Sequence, residues 1–172
     1  MTALTPTRTL TTTTPLSTST IHSSSPITFT PLNPPYNTLL AGTIFTTHTF
    51  PTILSNEDDM KRHETYVPHG IGVKNGVVAV MNKFLPGAEC PGHRTETIDF
   101  GVMVEGELEV LLEDGGRKRF GRGDVVVQRG TYHGWRNPSM ENETLVFFVA
   151  VGAEAVVVDG EVLGEDLKNL GM

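Results

Sequence analysis

The stretch that decides the fold is PGHRTETIDFG, residues 91–101. It holds a histidine and an aspartate, His93 and Asp99, and ends on a glycine. Side chains alternate across an extended chain. If residues 93–103 run as one extended segment, His93, Thr95, Thr97 and Asp99 share one side, and Arg94, Glu96 and Ile98 take the other. By the same rule TYHGWRN at 131–137 puts His133, Trp135 and Asn137 on one side. Two histidines and a carboxylate from separate strands can therefore meet inside one barrel.

The surrounding sequence supports a strand at each of these places. From Gly76 it runs GVVAVMNKF, IDFGVMVEG, ELEVLLE, RKRF, DVVVQ, HGWRN, TLVFFVAVG and AVVVDG, each bounded by Gly, Pro, Asn or Asp. Such β-branched and aromatic runs between turn residues read as strands. In ELEVLLE, Leu108, Val110 and Leu112 face one way and Glu107, Glu109 and Glu113 the other, which is a wall with one dry side. The DGG at 114–116 predicts a hairpin turn. About eight short, evenly spaced strands predict an all-β sandwich or small barrel. GTIFTTHTF at 42–50 adds a strand or pair of strands, 55–71 reads as polar turns, and only GEDLKNL at 164–170 suits a short helix.

The totals bound the rest. At 172 residues the chain holds one domain with a tail, and 18 glycines with 11 prolines favour a turn-rich β fold. The first thirty residues contain twelve threonines, and no acidic residue precedes Glu57. Residues 1–38 are therefore expected to be a disordered low-complexity tail or the product of a misplaced start codon, with the body at 39–172. Arg8 is the only basic residue in that tail, too few for a mitochondrial transit peptide. The net charge of −7 and the lack of a Lys/Arg cluster argue against nucleic acid as a partner. No apolar run approaches the roughly 18 residues of a membrane helix. Cys90 is the only cysteine, so no intramolecular disulfide can form and a cytoplasmic location is expected.

The motifs carry a resemblance. Gly87, AECPG, His93-Arg94-Thr95, ETI, Asp99, FGVMVE and Gly106 follow in the order of a first cupin motif. GDVVVQRGTYHGWRN, with Gly123, Gly130, His133 and Asn137 in place, follows the second. The chain thus resembles a single-domain cupin, a double-stranded β-helix of the jelly-roll type, with its motifs at 87–137. It departs from the pattern at Thr95, where a second histidine is usual, at Asp99, where glutamate is usual, and in a second-motif turn that lacks its proline and is one residue short.

Three readings of the site stay open. His93, Asp99 and His133 form a two-histidine, one-carboxylate set suited to one divalent ion, Fe, Mn, Zn or Ni. Aspartate would then have to approach about 1.5 Å closer than glutamate. The same three side chains, without metal, can pass protons at neutral pH once burial shifts their pKa values. The third reading is a hydrogen-bonded set in a barrel that binds a ligand or nothing.

Thr95, Trp135 and Arg94 are candidate substrate contacts, with Trp135 equally suited to the core. His48 is a candidate replacement ligand, though a satisfied or exposed histidine fits better. His63 and His69 are expected in solvent, Tyr132 and Arg136 facing away from the site, and Met103, Phe147 and Phe148 in the core. Cys90 has no neighbouring base in sequence and is not expected to be a nucleophile.

The resemblance implies a small organic substrate of aromatic or polyketide-like kind from secondary metabolism. It implies a lyase or isomerase, then a metal-dependent oxygenase, then a non-catalytic ligand-binding cupin. It also implies a homodimer, with segment 39–50 as the candidate contact.

Overall fold

The Val- and Phe-rich runs become strands in a computed structural model, which describes residues 4–32, 37–66 and 70–171. In chain order these are β1 (Thr7–Thr13), β2 (Ser19–Pro26), β3 (Thr30–Pro31), β4 (Leu39–Thr47), helix α1 (Asp58–Glu64), β5 (Val77–Phe84) and β6 (Glu89–His93). There follow β7 (Thr97–Glu105), β8 (Glu107–Leu112), β9 (Arg117–Gly121), β10 (Val125–Arg129), β11 (His133–Arg136), β12 (Thr144–Gly152), β13 (Val156–Val158) and β14 (Glu161–Leu163). A six-stranded sheet in the order β10-β7-β12-β5-β4-β3 faces a four-stranded sheet in the order β6-β11-β8-β9. All neighbours run antiparallel. This is the expected all-β double-stranded β-helix.

Alternation sorts the two inner faces. From the larger sheet Phe84, Met103, Val146 and Phe148 point inward, and from the smaller Leu108, Val110 and Trp135, all buried in one apolar cluster. Full burial of each such side chain contributes about 1.5–3 kcal/mol. The register places Phe84, Leu39 and Leu108 toward one end of the barrel. Toward the other lie the buried polar residues His93, Thr97, Asp99, Gln128 and His133. The imidazoles and the Asp99 carboxyl therefore lie together at one end, while the buried polar groups at the other, Asn137 and Thr144, bind backbone carbonyls. Gly101 lies opposite Phe148 on β12, and a Cβ there would strike the Phe148 ring at 2.5 Å, so glycine is what lets the ring lie flat on β7.

The turns follow their residues. Gly115, at φ 82°, closes the predicted β8–β9 hairpin, and Asp159-Gly160, both at positive φ, turns β13 into β14. Asn137 is fully buried, and its amide donates to the carbonyls of Phe84, Leu85 and Asn142. The predicted C-terminal helix is a single 3-10 turn, Lys168–Leu170.

Two expectations change. Residues 55–71 hold α1, missed because the segment is polar, yet its acidic first turn and basic last turn suit a helix dipole. Phe147 lies on the opposite face of β12 from Phe148 and is only half-buried. Within 1–38 the described residues pair β1 with β2, and β3 adds to the large sheet. Threonine's β-branching suits exposed strands, and Arg8, the lone cation, donates to the Ile44 carbonyl at 3.2 Å and contacts His63 Nε2 at 3.0 Å. β4 pairs with β5 along most of its length and with β3 only at Leu40 and Ala41, and α1 packs on it. No helix among the described residues is long and apolar enough to cross a membrane.

Candidate functional site

The stretch from His93 to Asp99 is not one straight strand. β6 ends at His93, and Arg94–Glu96 carry the chain from the smaller sheet to the larger, where β7 begins at Thr97. Arg94 is held at the crossing by backbone hydrogen bonds to and from Asp166, each 2.9 Å. The alternation nonetheless survives the bend. His93, Thr95, Thr97 and Asp99 are buried, while Arg94, Glu96 and Ile98 are only partly so. The predicted face is real, but its two ends belong to opposite walls.

His93 and His133 are direct cross-strand partners, with ring centroids 4.6 Å apart. Each Nδ1 lies 2.9 Å from the carbonyl two residues upstream, of Pro91 and Thr131 respectively. A carbonyl can only accept, so each Nδ1 carries the proton and each Nε2 keeps its lone pair. Burial, then the neighbouring His93, push the His133 pKa down to about 4, against a smaller upward pull from the Thr131 carbonyl. Burial also lowers the His93 pKa, and its bond to the Pro91 carbonyl partly offsets this. Both rings are neutral bases at pH 7.

Across the barrel, burial raises the Asp99 pKa, partly offset by a hydrogen bond from Thr97. The Thr97 hydroxyl also lies 2.7 Å from that of Thr95, so the position of the usual second histidine holds a hydroxyl pair. Asp99 Oδ1 is buried and has no hydrogen-bond partner. Opposite Asp99 on β10 is Gln128, whose Oε1 accepts from the Thr131 hydroxyl at 3.1 Å and whose buried Nε2 has no partner. Neither Gln128 nor Thr97 stands out in the sequence as a functional residue. Parity along DVVVQ, with Val126 in the barrel, is the signal that places Gln128 inside.

The other candidates fall elsewhere. Trp135 is 5% exposed, tilted at 52° against Phe148 at 5.5 Å and edge-on to His133 at 5.4 Å, so it supports the imidazole from the core. Arg94 lies 3.6 Å from Glu113 and over the Tyr132 ring, with its side chain mostly buried. Tyr132 and Arg136 face away as predicted, on Asn169 and Glu89. His48 packs on Tyr66, away from the paired histidines. His63 is not in solvent. It is wedged against Phe45, with Thr46 and Arg8 on its two nitrogens. His69 lies outside the described residues. Burial pushes the Cys90 thiol up to about 12, so it stays protonated.

A divalent ion needs a convergent donor set. His93 and His133 offer two adjacent nitrogens, but Asp99 stands on the other sheet and Thr95 is turned to Thr97. Among the described residues no three His, Cys, Asp or Glu side chains converge to hold a metal. The residues present therefore do not fit the expected three-ligand site, and the chemistry is derived from the side chains alone.

Comparison with known proteins agrees with this architecture. The cupin domain model matches residues 80–151. Oryzines biosynthesis cluster protein J of Aspergillus oryzae is 39% identical over 128 residues, covering 73% of this chain and 72% of that protein. Cupin-domain-containing oxidoreductase fogC of Aspergillus ruber is 34% identical over 125 residues, covering 71% of this chain and 61% of that protein. The cupin domain of Schizosaccharomyces pombe Cnp3 superposes with a TM-score of 0.51 at 12% identity, over 85% of this chain and 87% of that one, a likeness of fold alone.

Proposed function

The chain belongs to the cupin family, and from that premise we propose that it is an acid–base enzyme, a lyase or isomerase, acting on a small organic intermediate of fungal secondary metabolism. One observation carries the reading. Two neutral imidazoles, each with its Nε2 lone pair free, lie side by side inside the barrel, and the buried Asp99 stands on the opposite sheet. Burial lowers the histidine pKa values and raises that of the carboxyl, which brings acid and base closer in strength. One imidazole takes a proton from a carbon beside a carbonyl or from a hydroxyl. The imidazolium so formed returns that proton elsewhere on the substrate, or a protonated Asp99 gives one there and is reprotonated by the imidazolium, leaving an isomer or expelling water or carbon dioxide. No electrons are gained or lost.

The relatives named for biosynthesis clusters support the metabolic setting. The Aspergillus ruber relative, named an oxidoreductase, supports a second reading as an oxygenase, although the chain spans only 61% of it. Gene disruption in the host, followed by feeding the accumulated compound to the purified protein, separates the two. Conversion with no mass change, or with loss of water or carbon dioxide, supports acid–base chemistry. Oxygen taken up from labelled dioxygen overturns it, and tight binding without conversion makes the protein a ligand-binding module.

A further inference from the structure

Resting on the acid–base reading of this site, we propose that Asp99 and Gln128 form a hydrogen-bonding clamp for a substrate edge that carries a carbonyl oxygen beside an O–H or N–H, as in an enolised 1,3-dicarbonyl or a cyclic amide. The two residues are direct partners on antiparallel strands and both side chains point into the barrel. Directly opposed Cβ atoms in such pairs stand about 4.5–5.5 Å apart, so the ends of the two side chains can converge on one small planar group. Both are more than nine-tenths buried, at 9% and 6% exposure. Asp99 Oδ1 and Gln128 Nε2 both lack a partner, and buried polar atoms are seldom left so.

The orientation of the amide is set by its other end. The Thr131 hydroxyl donates to Gln128 Oε1, which leaves Nε2 as the free prong and makes it a donor. The Thr131 carbonyl meanwhile accepts from His133 Nδ1. One residue therefore aligns both the clamp and the base. A carbonyl oxygen bound at Gln128 Nε2, with its neighbouring O–H or N–H on Asp99 Oδ1, satisfies both buried atoms at once. Gln128 is the specificity-determining residue in this arrangement.

2-Pyridone, which carries N–H and C=O on one edge, is the probe, and N-methyl-2-pyridone, which lacks the donor, is the control. Titration of the full chain is followed by NMR at the Gln128 side-chain amide. The expected result is that 2-pyridone shifts the amide resonances and binds at least tenfold more tightly than the N-methyl analogue. Gln128→Leu, with its fold checked by circular dichroism, should lose that preference. His133→Gln should keep it while losing turnover, so failure of the acid–base reading and failure of the clamp are told apart. Equal binding of the two probes, binding that leaves the Gln128 amide unmoved, or no binding of either overturns the clamp.

Discussion

His93 and His133 face each other across a strand pair at 4.6 Å, and each has already committed its Nδ1 proton to a backbone carbonyl. Neither ring can gain a charge without facing the other, and His93 is a named cause of the lowered His133 pKa. The pair is thus built to stay neutral until a substrate supplies the proton.

Replacing either imidazole with a side chain of similar reach should remove a proton carrier. His133→Gln and His93→Gln should each lower kcat/KM about 10²–10⁴-fold. In His93→Gln the surviving His133 loses its repelling neighbour, so the acid limb of its pH–rate profile should move upward from near pH 4. An unmoved limb would show that the two rings do not titrate together.

Stability should also depend on pH, and the sign follows from the shifts. His133 is folded with a pKa of about 4 against 6.5 unfolded, so the unfolded chain binds more protons between these values. Its contribution is complete above about pH 6.5 and is lost as pH falls toward 4, by up to about 3 kcal/mol. Asp99, with a raised pKa, acts in the opposite direction, losing stability as pH rises through its own window. Urea midpoints from pH 4 to 8 should rise to a plateau in the native protein, and His133→Gln should flatten the rise.

Removal of metal should leave the activity in place. Protein treated with a chelator and verified free of metal by elemental analysis is expected to turn over at an unchanged rate, because no three ligands converge among the described residues. Activity that falls on chelation and returns with one ion would restore the three-ligand site. Thr95→His, which puts a third imidazole on the buried face, is expected to raise zinc or nickel affinity by calorimetry.

Asn137 is structural. Its buried amide holds three carbonyls from two loops, so Asn137→Ala should cost about 3 kcal/mol in urea unfolding. A loss below about 0.5 kcal/mol, the range of an ordinary surface change, would refute this role.

Arg8 anchors the N-terminal hairpin to the barrel. Arg8→Ala should raise the His63 pKa, which the guanidinium lowers after burial does, and should speed proteolysis within residues 4–32. NMR titration of His63 and limited chymotrypsin digestion, which can cut at Leu10, Leu16 and Phe29, check the two effects.

The barrel was legible because β7, β8 and β12 alternate cleanly between turn residues, and parity alone put both histidines inside. Parity does not report depth, which is why Trp135 was equally readable as a pocket wall and proves to be core. Arg94 could not be read either, since its partner Glu113 lies in a distant hairpin turn. Gln128 obeys the same parity as His133, but glutamine carries no habitual chemistry to draw attention to it. The helix at Asp58–Glu64 and the threonine hairpin were hidden by polarity, since both are held by propensity and a few polar contacts more than by a buried apolar face.

The three-residue crossing at Arg94–Glu96 has a mechanical consequence. Because it links His93 on one wall to Thr97 and Asp99 on the other, the base and the carboxyl are joined by a covalent ruler of fixed length. The other end is tied in the same way by Gly106, which alone joins β7 of one sheet to β8 of the other, so the walls separate at neither crossing unless the chain itself stretches. Lengthening that ruler by one residue would leave the core filled and throw the histidine pair and Asp99 out of step.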